Sequence, residues 1–446
     1  MNKNIFGTDG VRGIANTEIS VGLAQLLGKA FAVFIMQNQQ SQEYSICIGR
    51  DTRPSGDMIH SAFISGVMSM GVNVIDVGIC PTPCISYLTR KLSTSGGVVI
   101  TASHNLSDFN GIKLMDNNGV KLDTQAELSV SEIFHNITDY LCDTSVGKLV
   151  VDADLPKLWA DYLVECVDKV NLDNLNIVVD CANGAGFRVV PYVLRSLGAS
   201  VTCINCANDG ANINLNCGST CVTPLVEAIQ SGNFDLGFAF DGDADRLAVV
   251  DSSGLVLSGD QILYIIANYL SQQNQLPHNT IVSTIVSNHG LDQSLTSSGI
   301  NVIRTSVGDK FVLSQLLAGG YALGGENSGH IILPKYNLSA DALLTSLFLL
   351  KIIVSSGKTL PQLLDGYTPY PTVSINVPVS PRQHALVVNG ALDSSIHSLL
   401  TELGDSGTLL VRASGTQPIV RILVEGDNSD LITKIANTLQ SLTLSL

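Results

Sequence analysis

Asp241-Gly-Asp-Ala-Asp-Arg246 places three carboxylates at alternate positions around a glycine. Oxygen ligands spaced this way can converge on one hard cation. The start resembles a calcium EF-hand loop, but Arg246 stands at the sixth position where Gly is needed and Ser252 at the twelfth where Glu is needed. The bland alternative is a solvated acidic turn. Three crowded aspartates repel one another unless a cation neutralises them, so a metal site is expected at Asp241, Asp243 and Asp245. The segment follows an apolar run at 234–240, which puts it at the C-terminal end of a strand, where open α/β sheets place ligands.

Thr101-Ala-Ser-His-Asn105 also follows an apolar run, at 97–100. Ser103 beside His104 suggests a nucleophile, but adjacent residues pair poorly as serine and base. The Gly-x-Ser-x-Gly elbow of the α/β-hydrolases is missing as well. Asn110-Gly-Ile-Lys113 sets a lysine within reach of the same loop. Gly324-Gly-Glu-Asn-Ser-Gly-His330 offers several hydrogen-bonding groups in a glycine frame, suited to a polyhydroxylated ligand. Arg412-Ala-Ser-Gly-Thr-Gln-Pro418 combines a guanidinium, two hydroxyls and backbone N–H groups, a plausible anion nest. Taken singly, each of these stretches reads almost as well as an ordinary loop. Cys203, Cys206, Cys217 and Cys221 have a loosely zinc-like spacing, but Cys203 lies in the apolar run 201–204, so free structural thiols are the main reading.

These loops need a scaffold. The chain has 446 residues, of which 45% are hydrophobic, enough for about three domain cores at ordinary domain size. It carries 24 basic and 39 acidic residues, a net charge of −15. So acidic a chain is a poor match for nucleic acid or an anionic membrane surface. A small anionic substrate remains compatible, since it needs only a local basic cluster. The opening residues show no apolar signal core, and apolar stretches such as 342–350 fall short of a membrane span of ~20 residues. A cytoplasmic protein that binds neither membrane nor nucleic acid is expected. Helix-period and strand-period segments alternate from residue 14 to 120, from 176 to 240 and from 260 to 317, which predicts three α/β units. A Pro-broken stretch at 366–371 then leads to a strand, a helix, two strands and a helix, a small α+β domain. The expected boundaries are 1–150, 151–253, 254–368 and 369–446.

In combination with Phe6-Gly-Thr-Asp-Gly-Val-Arg-Gly13, the four loops resemble the α-D-phosphohexomutases, in order and over the whole chain. The resemblance is strongest to the branch acting on glucosamine phosphates. It implies four domains around a central cleft, three of them with similar mixed-sheet α/β cores. It also implies a phosphoserine at Ser103, and one Mg²⁺ held by Asp241, Asp243, Asp245 and a phosphoryl oxygen on Ser103. Glu326, Ser328 and His330 would touch the sugar. Arg412, Ser414, Gly415 and Thr416 would hold the non-reacting phosphate. Arg12, Lys113, Arg246 and His330 are the implied groups for proton transfer and charge stabilisation. A sugar 1,6-bisphosphate would serve as intermediate and activating phosphoryl donor. The implied substrate is glucosamine 6-phosphate, feeding the activated amino sugar of cell-envelope synthesis, and a homodimer is compatible. Leu106, Lys310, Asn327 and Gln417 depart from the usual Pro, Arg, Gln and Glu. Leu106 is expected to loosen the serine loop, and Asn327 to bear on sugar preference. Two rivals remain: a metal-dependent phosphatase, which needs no second phosphate loop, and a sugar-phosphate sensor, which has no use for Ser103 beside a metal.

Overall fold

The computed structural model describes residues 4–7, 9–140, 145–208, 210–404, 407–414 and 418–446. Four sheets follow one another along the chain. The first has six strands in the order Val11–Ile14, Phe109–Met115, Gly96–Ile100, Ser45–Arg50, Asn73–Ile79, Leu149–Val151. The second runs Val256–Leu257, Leu247–Asp251, Leu236–Phe240, Asn176–Asp180, Ser200–Ile204. The third runs Asn301–Thr305, Thr280–Thr284, Gly324–Gly325, Ile331–Ile332, and the last Thr372–Pro378, Ile419–Glu425, Thr408–Ala413.

One device repeats. In each of the first three sheets, parallel strands give way to an antiparallel partner: Phe109–Met115 against Gly96–Ile100, Leu247–Asp251 against Leu236–Phe240, and Ile331–Ile332 against Gly324–Gly325. The connections across these three switches are the segments 101–108, 241–246 and 326–330. Thr408–Ala413 and Ile419–Glu425, the strands on either side of the fourth candidate loop, also pair antiparallel. The first three candidate loops thus connect antiparallel strand pairs, each starting from the C-terminal end of a buried strand. The sequence reading missed the returning strands. In particular, residues 110–113, given no element in the sequence reading, form part of the strand Phe109–Met115. Those strands are short or buried on both faces, so they lack the alternation that marks a half-exposed strand.

Helices cover the sheets. Val21–Asn38 starts at Ser20, whose side chain accepts from the Leu23 N–H, and it crosses Gly56–Met68 at close range. A Cβ on Gly28 would lie 2.3 Å from the Phe63 carbonyl oxygen, and one on Gly66 would lie 2.1 Å from that of Gln25. By length and composition this 18-residue helix could cross a membrane, which corrects the expectation that no stretch approaches that length. Its apolar side, including Leu27, Phe31 and Ile35, is buried in the first domain's core. Ala342–Ser356 is buried almost all round and shares one apolar cluster with Trp159, Phe238 and Val99, so three sheets pack into a common body. The C-terminal domain has two helices, Pro381–Val388 and Asp393–Leu403, between its first two strands, where one was expected.

Candidate active site

Ser103 sits in the left-handed region, with φ of +51°, and is almost fully buried. Its hydroxyl donates to Asp241 Oδ2 at 2.8 Å, while His104 Nδ1 lies 3.4 Å away. Burial, together with the nearby Arg246 and Arg12 charges, brings His104 down to about 4. That imidazole is neutral at pH 7, and the serine engages an aspartate instead.

Asp241, Asp243 and Asp245 are all buried, with ligand atoms within 4.8 Å of one another. Burial and the two neighbouring carboxylates push Asp241 up to about 7. Asp245 goes the other way, because Lys113, His330, Lys121 and Arg246 together outweigh its burial. Lys113, itself buried, donates to Asp243 Oδ2 at 2.7 Å and to Asp245 Oδ2 at 3.1 Å. Its ammonium is held well above the usual lysine range, since these two charges and that of Asp9 outweigh desolvation. Asp243 Oδ1 and Asp245 Oδ1 are buried without a hydrogen-bond partner among the described residues. Buried orphan carboxylate oxygens are costly, and two of them beside Asp241 form the oxygen donor set a divalent cation requires. The residues fit a metal. Cys203, Cys206, Cys217 and Cys221 form no such group among the described residues and are free thiols.

Around this centre, Arg12 donates from Nη1 to the Ala102 carbonyl at 3.4 Å and pairs with Asp9. Arg246 has a buried Nε without a hydrogen-bond partner among the described residues, and Asp241 and Asp245 hold its guanidinium charged against burial. His330 is buried, its Nε2 3.6 Å from Asp245 Oδ2 and its Nδ1 3.3 Å from Glu326 Oε2. Desolvation opposes its charge, but Asp245, Glu326 and Asp309 outweigh it and raise its pKa. Ser103, the three aspartates, Arg12, Lys113, Arg246, His330 and Glu326 thus meet at the junction of three sheets. Glu326 is less free than expected: Oε1 accepts the Gly308 N–H at 2.9 Å. Ser328 is exposed.

The departures also find places. Leu106 is exposed, yet its carbonyl is taken by Arg53, so the loop is tied despite the missing proline. Asn327 donates to Asp260 Oδ2 at 2.5 Å, which spends its amide on the scaffold. Lys310 reaches Glu127 at 3.4 Å, across to the first domain.

Arg412 is exposed on Thr408–Ala413 and stands directly opposite Arg421. Facing like charges on one sheet face are unfavourable and leave that face ready for an anion. Ser414 is buried, and its carbonyl lies 2.7 Å from His384 Nε2. Gly415, Thr416 and Gln417 lie outside the described residues. Among the described residues, no side-chain hydrogen bond or ion pair joins Arg412 to the Ser103 centre.

Sequence reasoning missed Asp51, Arg53, Lys121, Asn214, Asp309 and Arg421. Lys121 bridges Asp9 at 2.7 Å and Asp309 at 2.6 Å. For Asp51 and Arg53 a signal was present in the charge-dense stretch Arg50-Asp-Thr-Arg-Pro-Ser-Gly56.

Residues 3–141, 157–254, 258–370 and 375–441 match, respectively, the phosphoglucomutase/phosphomannomutase alpha/beta/alpha domain I, domain II, domain III and C-terminal domain families. A phosphoglucosamine mutase of Clostridioides difficile (strain 630) is 40% identical over 444 residues, covering 99% of this chain and 98% of that protein. A phosphoglucomutase/phosphomannomutase family protein from Burkholderia thailandensis superposes with a TM-score of 0.82 at 23% identity, over 99% of this chain and 97% of the other. An Aspergillus fumigatus N-acetylphosphoglucosamine mutase, solved with GlcNAc-6P and magnesium, gives 0.68 at 16%, over 99% and 95%.

Proposed function

The chain belongs to the phosphoglucomutase/phosphomannomutase family, which makes it an isomerase of the phosphohexomutase class, and from that premise we propose that it interconverts glucosamine 6-phosphate and glucosamine 1-phosphate in the cytoplasm. Similarity to phosphoglucosamine mutases over nearly the full length supports the amino-sugar substrate. The observation that carries the mechanism is the Ser103 hydroxyl, 2.8 Å from Asp241 inside a buried trio of aspartates with unpartnered oxygens.

Phosphoryl transfer is mostly positioning and charge neutralisation. Phosphoserine 103 would carry about −1.5 to −2 charge at neutral pH. Asp241, Asp243 and Asp245 would hold Mg²⁺, which supplies the positive charge that lets a second phosphate approach. The sugar's 6-phosphate docks on the loop of Arg412, Ser414, Gly415 and Thr416. The sugar's 1-hydroxyl oxygen then attacks the phosphorus, the bond to Ser103 Oγ breaks, and the proton lost by the hydroxyl ends on Ser103 Oγ. The resulting 1,6-bisphosphate turns over in the cleft and returns its 6-phosphate to Ser103. Glucosamine 1-phosphate leaves. Lys113, Arg246 and Arg12 offset the charge on the moving group, and His330 is placed to hold or deliver a proton. Glu326 and Ser328 face the sugar. Free sugar 1,6-bisphosphate would recharge an enzyme that has lost its phosphoryl group.

The test is intact mass and turnover. Wild type is expected to purify partly phosphorylated on Ser103. Ser103→Ala should stay folded, accept no phosphoryl group and lose turnover by orders of magnitude. Ordinary activity in a clean Ser103→Ala preparation overturns the mechanism. Glucose and mannose phosphates at equal concentration decide the sugar, and release of inorganic phosphate in place of isomer would mark a phosphatase.

A further inference from the structure

Arg53 is among the most buried side chains in the molecule, with the side chain 0% exposed, and no step above uses it. Its guanidinium carries an unusual load. One arm donates to the carbonyls of Ser103 at 2.9 Å and Asn105 at 2.7 Å. The other donates to those of Leu106 and, at 2.8 Å, Phe109. Nε and the backbone N–H go to the two oxygens of Asp51, at 2.9 and 3.0 Å.

The circuit closes on the serine from its other side. Asp51 Oδ2 accepts from Thr101 Oγ1 at 2.6 Å, and Thr101 Oγ1 accepts the Ser103 N–H at 2.9 Å. The amide and the carbonyl of Ser103 therefore lead back to one buried ion pair. A second grip comes from a turn of the second domain, where Asn214 donates to the same Ser103 and Asn105 carbonyls at 2.8 and 2.9 Å. The conformation held this way is one that L residues rarely adopt, and it aims Oγ at Asp241. A non-glycine residue keeps such a conformation only where its surroundings over-determine it.

We propose that Arg53 is the positioning residue of the phosphoryl-accepting serine: its fork, backed by Asp51 and doubled by Asn214, fixes the Ser103 backbone so that Oγ faces the metal aspartates. This rests on the reading of Ser103 as the phosphoryl acceptor. A planar fork can reach four carbonyls at once and a lysine ammonium cannot, so the geometry of the cation matters as well as its charge.

The experiment compares Arg53→Lys, Arg53→Ala and Asn214→Ala with wild type. The readouts are the rate of Ser103 labelling by glucose 1,6-bisphosphate with Mg²⁺, followed by intact mass, the affinity for glucosamine 6-phosphate, and the melting temperature. Arg53→Lys should label at least tenfold more slowly while binding the monophosphate within twofold of wild type. Asn214→Ala, which leaves the fork in place, should slow labelling by only a few-fold. Labelling at the wild-type rate in Arg53→Lys overturns the proposal, and so does a labelling defect matched by an equal loss of monophosphate affinity. If Arg53→Ala fails to fold, the Lys and Asn214 variants still decide. Should wild type itself take no label, the assigned reaction fails rather than the role of Arg53.

Discussion

At the scale of single residues, the aspartate trio is three different acids. Asp241 is held up to about 7, Asp245 is held low by its cations, and Asp243 divides its oxygens, Oδ2 to Lys113 and Thr82 and Oδ1 to no partner among the described residues. Asp243→Asn removes one charge facing Lys113 and one anionic ligand. Mg²⁺ dehydrates reluctantly and is held by few carboxylates, so the Mg²⁺ concentration for half-maximal activity should rise at least tenfold. A titration that superimposes on wild type would reduce the trio to an acidic turn. The identities of these residues were legible in the sequence. Their inequality was not, because it comes from how deeply each is buried and from cations such as Lys113, Lys121 and His330 that other segments bring to Asp245.

At the scale of elements, Asp341 caps the buried helix Ala342–Ser356. Its Oδ1 accepts the Leu344 N–H at 2.9 Å, and its Oδ2 accepts from Asn337 at 3.1 Å and Trp159 at 3.3 Å. Burial nonetheless outweighs these bonds and raises it to about 6. A raised acid favours folding when protonated. Its contribution is whole below about pH 4 and is lost as pH rises through about 6. Asp341→Asn abolishes that titration and substitutes a constant cost for the altered cap. Chemical denaturation across pH 4 to 7 should show the variant gaining on wild type by on the order of 2–3 kcal/mol. A stability difference flat with pH would mean the carboxyl titrates normally.

At the scale of the whole molecule, the Ser103 centre is assembled from three sheets, while the candidate phosphate loop stands on a fourth. If Arg412 grips whichever phosphate is not reacting, it must accept either end of the sugar, which a guanidinium fork can do in both orientations. Charge-assisted hydrogen bonds are worth about 1.5–3 kcal/mol each. Arg412→Ala should therefore weaken both glucosamine monophosphates by tenfold or more, and Arg412→Lys should recover only part of the loss. Binding as tight as wild type in the Ala variant would remove the C-terminal domain from the phosphate clamp.

Periodicity marked the α/β alternation and the small C-terminal domain, because strand and helix periods are local properties of the chain. The residue types in the loops at 101–105, 241–246 and 324–330 marked the chemistry, because charge and hydroxyl placement is written in short motifs. Folding decided the rest. That the segment at 110–113 is a strand carrying Lys113 into the aspartates, that Asn327 faces Asp260, and that Asp51, Arg53 and Asn214 hold the serine loop are contacts between distant segments. Buried polar groups must find partners wherever the packed chain supplies them. Which partner that is depends on three-dimensional proximity, and no local pattern encodes it.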